Sequence, residues 1–452
     1  MKKKTLFILS IIFALNPLFA QEQAPPDKHR KAIETEHARI IFSKELGINA
    51  PKAAFLIDSL YETQSKSLDA YPEKVPVLLY NKTVISNGYA ALYPRRSAWY
   101  TTGMQDPTEL GNADWLTTLG IHEFRHIVQY EKYNQNFTKF LSFLFGETGI
   151  VMGRWSVPFW FSEGDAITAE TTYTIGGRGR IPKFEMPVKT LLAADIKYKY
   201  PKAKLGSYKN YYPSHYHLGW LLVSYARLKY GADVWAQTLD HTSKISFWPY
   251  AFSRGLKKHT GLNERALYDE AMQYYDSLQT ENLKNRNFSE LRILSPETNV
   301  YTTVKEAEYT DAGEIVFLKS DLKRIKHFYK TDKNGETEKL FPTVTQMFSA
   351  EADKICFTKT FFDKRYNYQT YSDIMLFDFK KKSLKRLTKE QKYFAPSLSP
   401  DGKKIALAEH NDSMQSRLVI IDTDSGKLLK KFPNPKNDFL RTPVWSPEGN
   451  QI

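Results

Sequence analysis

The sequence predicts a multidomain chain: an α+β, mainly helical domain over residues 21–280, then an all-β repeat array over residues 292–452. Three observations carry this. Residues 32–279 pass from a few strand-like runs into long helical patterns. Past a polar stretch at 281–291, which reads as a linker, one short pattern recurs at a spacing of about 45 residues. Within the helical part stands His122-Glu123-Phe124-Arg125-His126.

Composition sets the outer bounds. The chain has 452 residues, 42% hydrophobic and 14% aromatic, which excludes a disordered or collagen-like polymer and allows two or three packed domains. A single cysteine excludes a disulfide scaffold and any multi-cysteine metal cluster. Cys356, between Ile355 and Phe357, reads as a small core residue rather than a reactive thiol. The net charge of +14 comes partly from lysines between Lys183 and Lys209 and partly from turns near the C-terminus. No basic helix with interleaved aromatics stands out, so a solvated surface is expected and nucleic acid is not.

The first 20 residues read as a signal peptide. Lys2, Lys3 and Lys4 form a basic start, Leu6 to Leu15 an apolar core too short to span a bilayer, and Asn16-Pro17 a break before Ala20. Cleavage after Ala20 removes three lysines and no acids, leaving +11. The expected destination is bacterial: periplasmic, outer-membrane-associated or secreted.

In the first domain, Arg39–Phe42, Val75–Tyr80 and the aromatic run Tyr89–Thr101 read as strands. Pro51–Ala70 has helical spacing, and from Asp114 onward helices dominate.

The repeat array is explicit. Thr310-Asp311-Ala312-Gly313-Glu314-Ile315 is echoed from Ala350 to Ile355, from Ser399 to Ile405 and from Ser446 to Ile452. The aligned isoleucines stand 40, 50 and 47 residues apart. Each unit carries a strand ending at Asp332, Asp378 or Asp422, then a polar turn and a strand closing at Leu340, Leu387 or Leu429. Several short strands per unit at this period predict β-propeller blades. The Ser399-Pro400-Asp401-Gly402 turn suits that role: proline presets φ, aspartate bonds its own backbone and glycine accepts a positive φ. The unit resembles the WD-like repeat of TolB-type propellers. About three blades and the start of a fourth are written, so a truncated propeller is expected.

The chemistry lies in His122-Glu123-x-x-His126. Trp115, Leu119, His122 and His126 share one helical face, and imidazoles one turn apart can reach one metal. Glu123 stands beside them as a candidate base for the water such a metal activates. Zinc needs a third protein ligand. After His126 comes Trp160-Phe161-Ser162-Glu163-Gly164-Asp165-Ala166, with Glu163 37 positions on. This resembles the Trp-x-x-Glu-Gly-x-Ala helix of gluzincin (peptidase MA clan) metallopeptidases. The resemblance implies Zn2+ held by His122, His126 and Glu163, and a bracing role for Glu170.

Downstream, Tyr216-His217-Leu218-Gly219 matches the Tyr-x-x-Gly of zinc aminopeptidases in that clan. The resemblance implies that Tyr216 steadies the oxyanion, with Tyr212, His215 and His217 as rivals. One element departs from the family. Where aminopeptidases carry Gly-x-Met-Glu-Asn, this chain has Ser86-Asn87-Gly88-Tyr89-Ala90, without a glutamate to grip an α-amino group. An edge strand that aligns an extended peptide is still expected there.

The stretch from Phe140 to Trp155 is apolar but carries Glu147, Arg154 and three glycines, against a membrane span. It is expected as a loop packed on its own domain, with a lid or a patch dipping into a membrane surface as alternatives.

Together these readings describe an exported zinc metallopeptidase acting on a peptide or protein substrate, with Glu123 as general base and Tyr216 as oxyanion donor. The propeller is expected to bind an envelope protein partner or restrict access. The alternatives are a propeller-centred envelope scaffold with an inactive or structural zinc domain, and a lipid- or glycan-directed zinc hydrolase.

Overall fold

A computed structural model describes residues 24–452, except 28, 112, 285, 288, 291, 292, 294–297 and 311. The expected signal peptide lies outside these residues.

The first domain opens on a five-stranded sheet of order β1-β2-β3-β5-β4. Its strands are β1 (Lys31–Glu34), β2 (Ala38–Phe42), β3 (Val75–Tyr80), β4 (Gly88–Leu92) and β5 (Arg95–Tyr100). β2, β3 and β5 run parallel, whereas β4 pairs antiparallel to β5 and forms an edge. Val75, Val77 and Leu79 alternate inward along β3, as a half-buried strand requires. The single strand expected over Tyr89–Thr101 is in fact two, because Tyr93-Pro94 makes a turn and proline has no N–H for the ladder.

The helices follow. α1 (Ala50–Lys66) covers the sheet with Ala53, Ala54, Ile57 and Tyr61. α2 (Trp115–Tyr133) starts at Asp114, whose carboxylate caps Thr117 N at 2.8 Å. α2 carries His-Glu-x-x-His through the middle of the domain, and Leu119, Phe124, Ile127 and Val128 fill the surrounding core. α3 (Asn136–Phe145) and α4 (Glu147–Gly153) replace the loop expected over Phe140–Trp155. The segment is packed only in part: Ile150 joins the core, whereas Phe143 is 85% and Trp155 89% exposed.

Next come α5 (Phe159–Tyr173), α6 (Pro182–Ala193), α7 (Tyr200–Leu205), α8 (His215–Tyr230), α9 (Val234–Lys244), α10 (Ala251–Thr260) and α11 (Glu264–Leu283). α11 runs past 281, so the expected linker begins inside its last turn. Asn263 caps that helix at Ala266 N.

Three four-stranded antiparallel sheets follow in sequence order, spanning Thr302–Pro342, Phe348–Arg386 and Tyr393–Lys431. Ile315, Ile355 and Ile405 sit at equivalent positions on the second strand of each, opposite Thr331, Phe377 and Ile421. The first strands line one cavity of about 640 Å³, with Glu308, Ala350 and Leu398 on its wall. Phe328, Phe348 and Phe357 pack between the first two sheets, and Cys356, Leu398 and Ile405 between the next two. Burial also pushes the Cys356 thiol well up, so it stays protonated as core filler. The arrangement is propeller-like. The Ser446 turn repeats the hydrogen bonds of the Ser399 turn: Gly402 N donates to Ser399 O at 2.8 Å and Gly449 N to Ser446 O at 2.9 Å.

Blades and first domain touch along Asn81–Ile85. Thr370 N donates to Lys82 O at 3.0 Å and Val84 N to Thr370 Oγ1 at 2.8 Å. Tyr368 stacks on Tyr80, and Val84 packs with Phe394 and Ala408.

Candidate metal centre

α2, α5 and α8 bring the predicted site residues together at the floor of a cavity of about 350 Å³. His122 Nε2 lies 3.3 Å from His126 Nε2 and 3.3 Å from Glu163 Oε2, and His126 Nε2 lies 3.6 Å from the same oxygen. All three side chains are nearly buried. Among the described residues this is the one group of histidine, cysteine and acidic side chains with metal-binding spacing.

The supporting contacts orient these atoms. His126 Nδ1 is 3.0 Å from Gln129 Oε1, and Gln129 in turn donates to Ser162 O and Asp165 Oδ2. His122 Nδ1 lies 2.9 Å from Arg178 Nη2 and faces Glu170 Oε2 at 3.4 Å. Glu170 is held by Arg178 through its backbone N, Nε at 2.6 Å and Nη2 at 3.1 Å. Each imidazole thus turns its Nε2 toward the shared point, the arrangement typical of metal-binding histidines.

Electrostatics separate the carboxyls by role. Burial works against the charge on Glu163, but the two histidines beside it, 3.3 and 3.6 Å from Oε2, hold it far below the usual carboxylate range. Burial likewise opposes the charge on Glu170, yet Arg178 keeps it at about 2. Burial pulls His122 down, and the Glu163 and Glu170 carboxylates outweigh it, holding the imidazole at about 9. Glu123 is the exception: burial pushes it above the ordinary glutamate value.

A divalent metal fits this donor set. Two imidazole nitrogens and one carboxylate oxygen converge, and Glu163 Oε2 is buried without a hydrogen-bond partner. Glu123 Oε2 is also buried and unpartnered, beside the same cavity.

β4 forms one wall. Gly88 packs directly on α2: a Cβ there would stand 3.1 Å from Glu123 Oε1. Tyr130 of α2 donates to Ala90 O at 3.1 Å, fixing the strand over the helix. Tyr216 also lines the cavity, with the Arg178 guanidinium 5.4 Å from its ring centre. Burial, with the Glu163 charge, pushes its phenol up to about 12. Of the three rivals, Tyr212 and His217 are engaged elsewhere, whereas His215 lies against the Tyr216 ring at 4.4 Å with its buried Nε2 unpartnered. Tyr212 bonds Tyr268, His217 bonds Ser214 and stacks on Phe184, and His215 lies against Phe159.

Sequence reasoning missed two residues. Arg178 sits in a glycine-rich turn with no motif around it. Asp165, two positions past Glu163, is fully buried and paired with Arg125 Nε at 2.6 Å and Arg227 Nη2 at 2.8 Å, tying α2, α5 and α8 together. A charged residue between Gly164 and Ala166 in an apolar helix was the available signal.

No protein-family model matches the chain, and no curated protein matches it. Parts of solved structures are similar. TolB from Acinetobacter baumannii is 23% identical over 27% of this chain and 30% of its own, with a TM-score of 0.22. The β-propeller domain of the Trilobed protease from Pyrococcus furiosus is 16% identical over 30% of this chain and 44% of its own, at 0.24. The acylaminoacyl peptidase of Pyrococcus horikoshii is 12% identical over 29% of this chain and 25% of its own, at 0.22. The chain therefore spans less than half the length of each.

Proposed function

We propose that this chain is an exported zinc metallopeptidase. The observation that carries the reading is the convergence of His122 Nε2, His126 Nε2 and Glu163 Oε2 beside the unpartnered Glu123 carboxylate. Zinc bound by those three atoms would supply Lewis-acid chemistry, polarising a carbonyl and acidifying water. The remaining work falls to side chains and backbone. Glu123, raised by burial, accepts a proton from the attacking water and passes it to the leaving amine. Tyr216, still protonated at neutral pH, donates a hydrogen bond to the oxygen on which charge develops. β4 is the edge strand, and apart from Ala90 O, which Tyr130 holds, its outer side offers backbone groups to an extended peptide. Glu170 and Gln129 keep the two imidazoles aimed. The edge strand favours a peptide over the lipid- or glycan-directed reading.

The test is Glu123→Gln against His122→Ala, after a casein or peptide-library screen has supplied a substrate. Glu123→Gln should retain zinc, because Glu123 is outside the donor set, and lose at least ~10²-fold in hydrolysis. His122→Ala should lose both. Wild-type cleavage by Glu123→Gln would place the hydrolysis elsewhere. If no substrate is cleaved while the propeller captures one envelope protein, the scaffold reading replaces this one.

A further inference from the structure

The exposed rings of α3, of the turn after α4 and of the α9–α10 connection lie on segments that the peptidase reading leaves unused. Phe143, Phe145 and Trp155 project from one side, and Phe247, Trp248 and Tyr250 from the other. The two segments that carry them are in contact. Phe137 and Phe247 meet edge to face at 5.1 Å, Thr138 Oγ1 donates to Ser246 Oγ at 3.3 Å, and Asn136 Nδ2 donates to Ser243 Oγ at 2.8 Å. Ordinary folding does not leave this many large rings in water on one face of a domain.

Charge decides what covers it. Lys139, Lys244, Arg254, Lys257 and Lys258 are exposed on the same segments, with Arg254 5.8 Å from the Trp248 ring centre. Among the described residues none of the five is ion-paired with a carboxylate. The two segments, 136–155 and 244–258, carry one acidic residue, Glu147, against these five cations and Arg154. Protein interfaces are depleted in lysine at such a patch. Projecting Phe and Trp within a lysine and arginine rim is the composition of a face that enters the headgroup zone of an anionic bilayer. The shape agrees: Phe143 and Trp155 stand 85% and 89% exposed, as prongs rather than groove walls. No helix of the described residues is long and apolar enough to cross a membrane, so such contact is peripheral.

We propose that this face seats the protein on the surface of an anionic membrane. The seat adjoins the candidate site: Arg154, next to Trp155, and Phe159 both line the metal-site cavity. A docked molecule therefore holds its cleft near the lipid surface, within reach of peptide segments that emerge from a membrane. The docking itself does not depend on the peptidase reading.

The test is co-sedimentation with vesicles of phosphatidylglycerol and phosphatidylethanolamine, against pure phosphatidylcholine, at low and high salt. The wild-type chain should pellet with the anionic vesicles, and less so at high salt. Phe143→Ser with Trp155→Ser should lose at least about tenfold in partition, since two rings no longer leave water. Lys257→Glu with Lys258→Glu should lose binding and most of its salt dependence. All variants keep the same N-terminus, so its apolar segment contributes equally. Both substituted pairs are exposed, and an unchanged thermal melt confirms the fold. Brominated lipid should quench the wild-type tryptophans more than those of Trp155→Phe. Equal partition of wild type and Phe143→Ser/Trp155→Ser overturns the proposal. So does a wild type that ignores vesicles but dimerises through Trp155 in sedimentation velocity, which would make the face a contact between copies.

Discussion

Gly164 and Gly219 meet backbone to backbone where α5 crosses α8, and a Cβ on either would overlap the other helix. One sits beside Glu163 and the other one turn past Tyr216, so this crossing sets the distance between metal-ligand candidate and phenol. Gly219→Ala would drive a methyl into the Trp160 carbonyl oxygen, which belongs to rigid helix backbone. The helices must separate. The expected cost is about 1–3 kcal/mol of stability, typical of overpacking. Hydrolysis should fall on the order of 10²-fold, because a shift near 1 Å at a reacting centre has that scale. Thermal melts and turnover check both. Full activity at an unchanged melt would mean that the crossing tolerates a methyl and does not set the site.

Glu170 should matter to metal affinity without touching the metal. It faces His122 Nδ1 at 3.4 Å and is itself locked by Arg178. Glu170→Gln keeps the shape but weakens the acceptor. Zinc affinity, read by competition with a chromogenic chelator, should drop about 10–100-fold. No change in affinity would make Glu170 a purely structural partner of Arg178.

Tyr216→Phe should retain zinc, keep KM and lose about 10²–10³ in kcat, the scale for one oxyanion donor. Because the wild-type phenol is held at about 12, no loss of rate from its ionisation is expected below about pH 10. A kcat equal to wild type would leave Tyr216 as cavity wall alone.

Much of this site was legible in the chain because each local pattern has a short physical cause. His122 and His126 are one turn apart, so a helix alone fixes their relation. The blade strands were legible from Ile315, Ile355 and Ile405, since alternation and turn chemistry are local. What was missed depends on distant partners. Arg178 acts only because its turn folds back onto Glu170, and Asp165 only because Arg125 and Arg227 arrive from other helices. Phe140–Trp155 read as a packed loop because apolar residues usually go inside. Its short helices instead leave the rings in water, which no periodicity announces.

Glu308 supplies a pH prediction away from the metal. Its Oε2 accepts from Ala350 N at 2.7 Å between the first two blades, and burial raises its carboxyl to about 7. A raised folded pKa means the folded chain holds the proton more tightly than the unfolded chain. Blade stability is therefore greatest below the ordinary glutamate value, declines as pH rises toward about 7 and then levels off. The loss should be of order 1–3 kcal/mol. Glu308→Gln should flatten melting temperature between pH 5 and pH 8. A wild-type melt already flat over that range would contradict the buried assignment of this carboxyl.

The junction between domain and blades offers the last test. Asp412 bridges Lys82 Nζ at 2.6 Å and Lys392 Nζ at 2.8 Å, while its carbonyl accepts from Asn81 Nδ2 at 2.9 Å. The two lysines differ. Lys82 is about one third exposed, and such a pair contributes little; Lys392 is 12% exposed, and burial pulls its ammonium down against the Asp412 charge. Asp412→Ala leaves Lys392 charged, largely buried and held only by the Asn81 and Thr83 carbonyls, a loss of about 2 kcal/mol. The effect should be local. Asn81–Ile85 leads straight into β4, the wall that faces Glu123, so amide exchange should rise first in that segment. Calorimetry should then separate one transition into two, and hydrolysis should fall with zinc content unchanged. If exchange at Asn81–Ile85 stays as slow as in wild type, docking rests on the remaining contacts of that segment, the Thr370 hydrogen bonds and the Val84, Phe394 and Ala408 packing, rather than on Asp412.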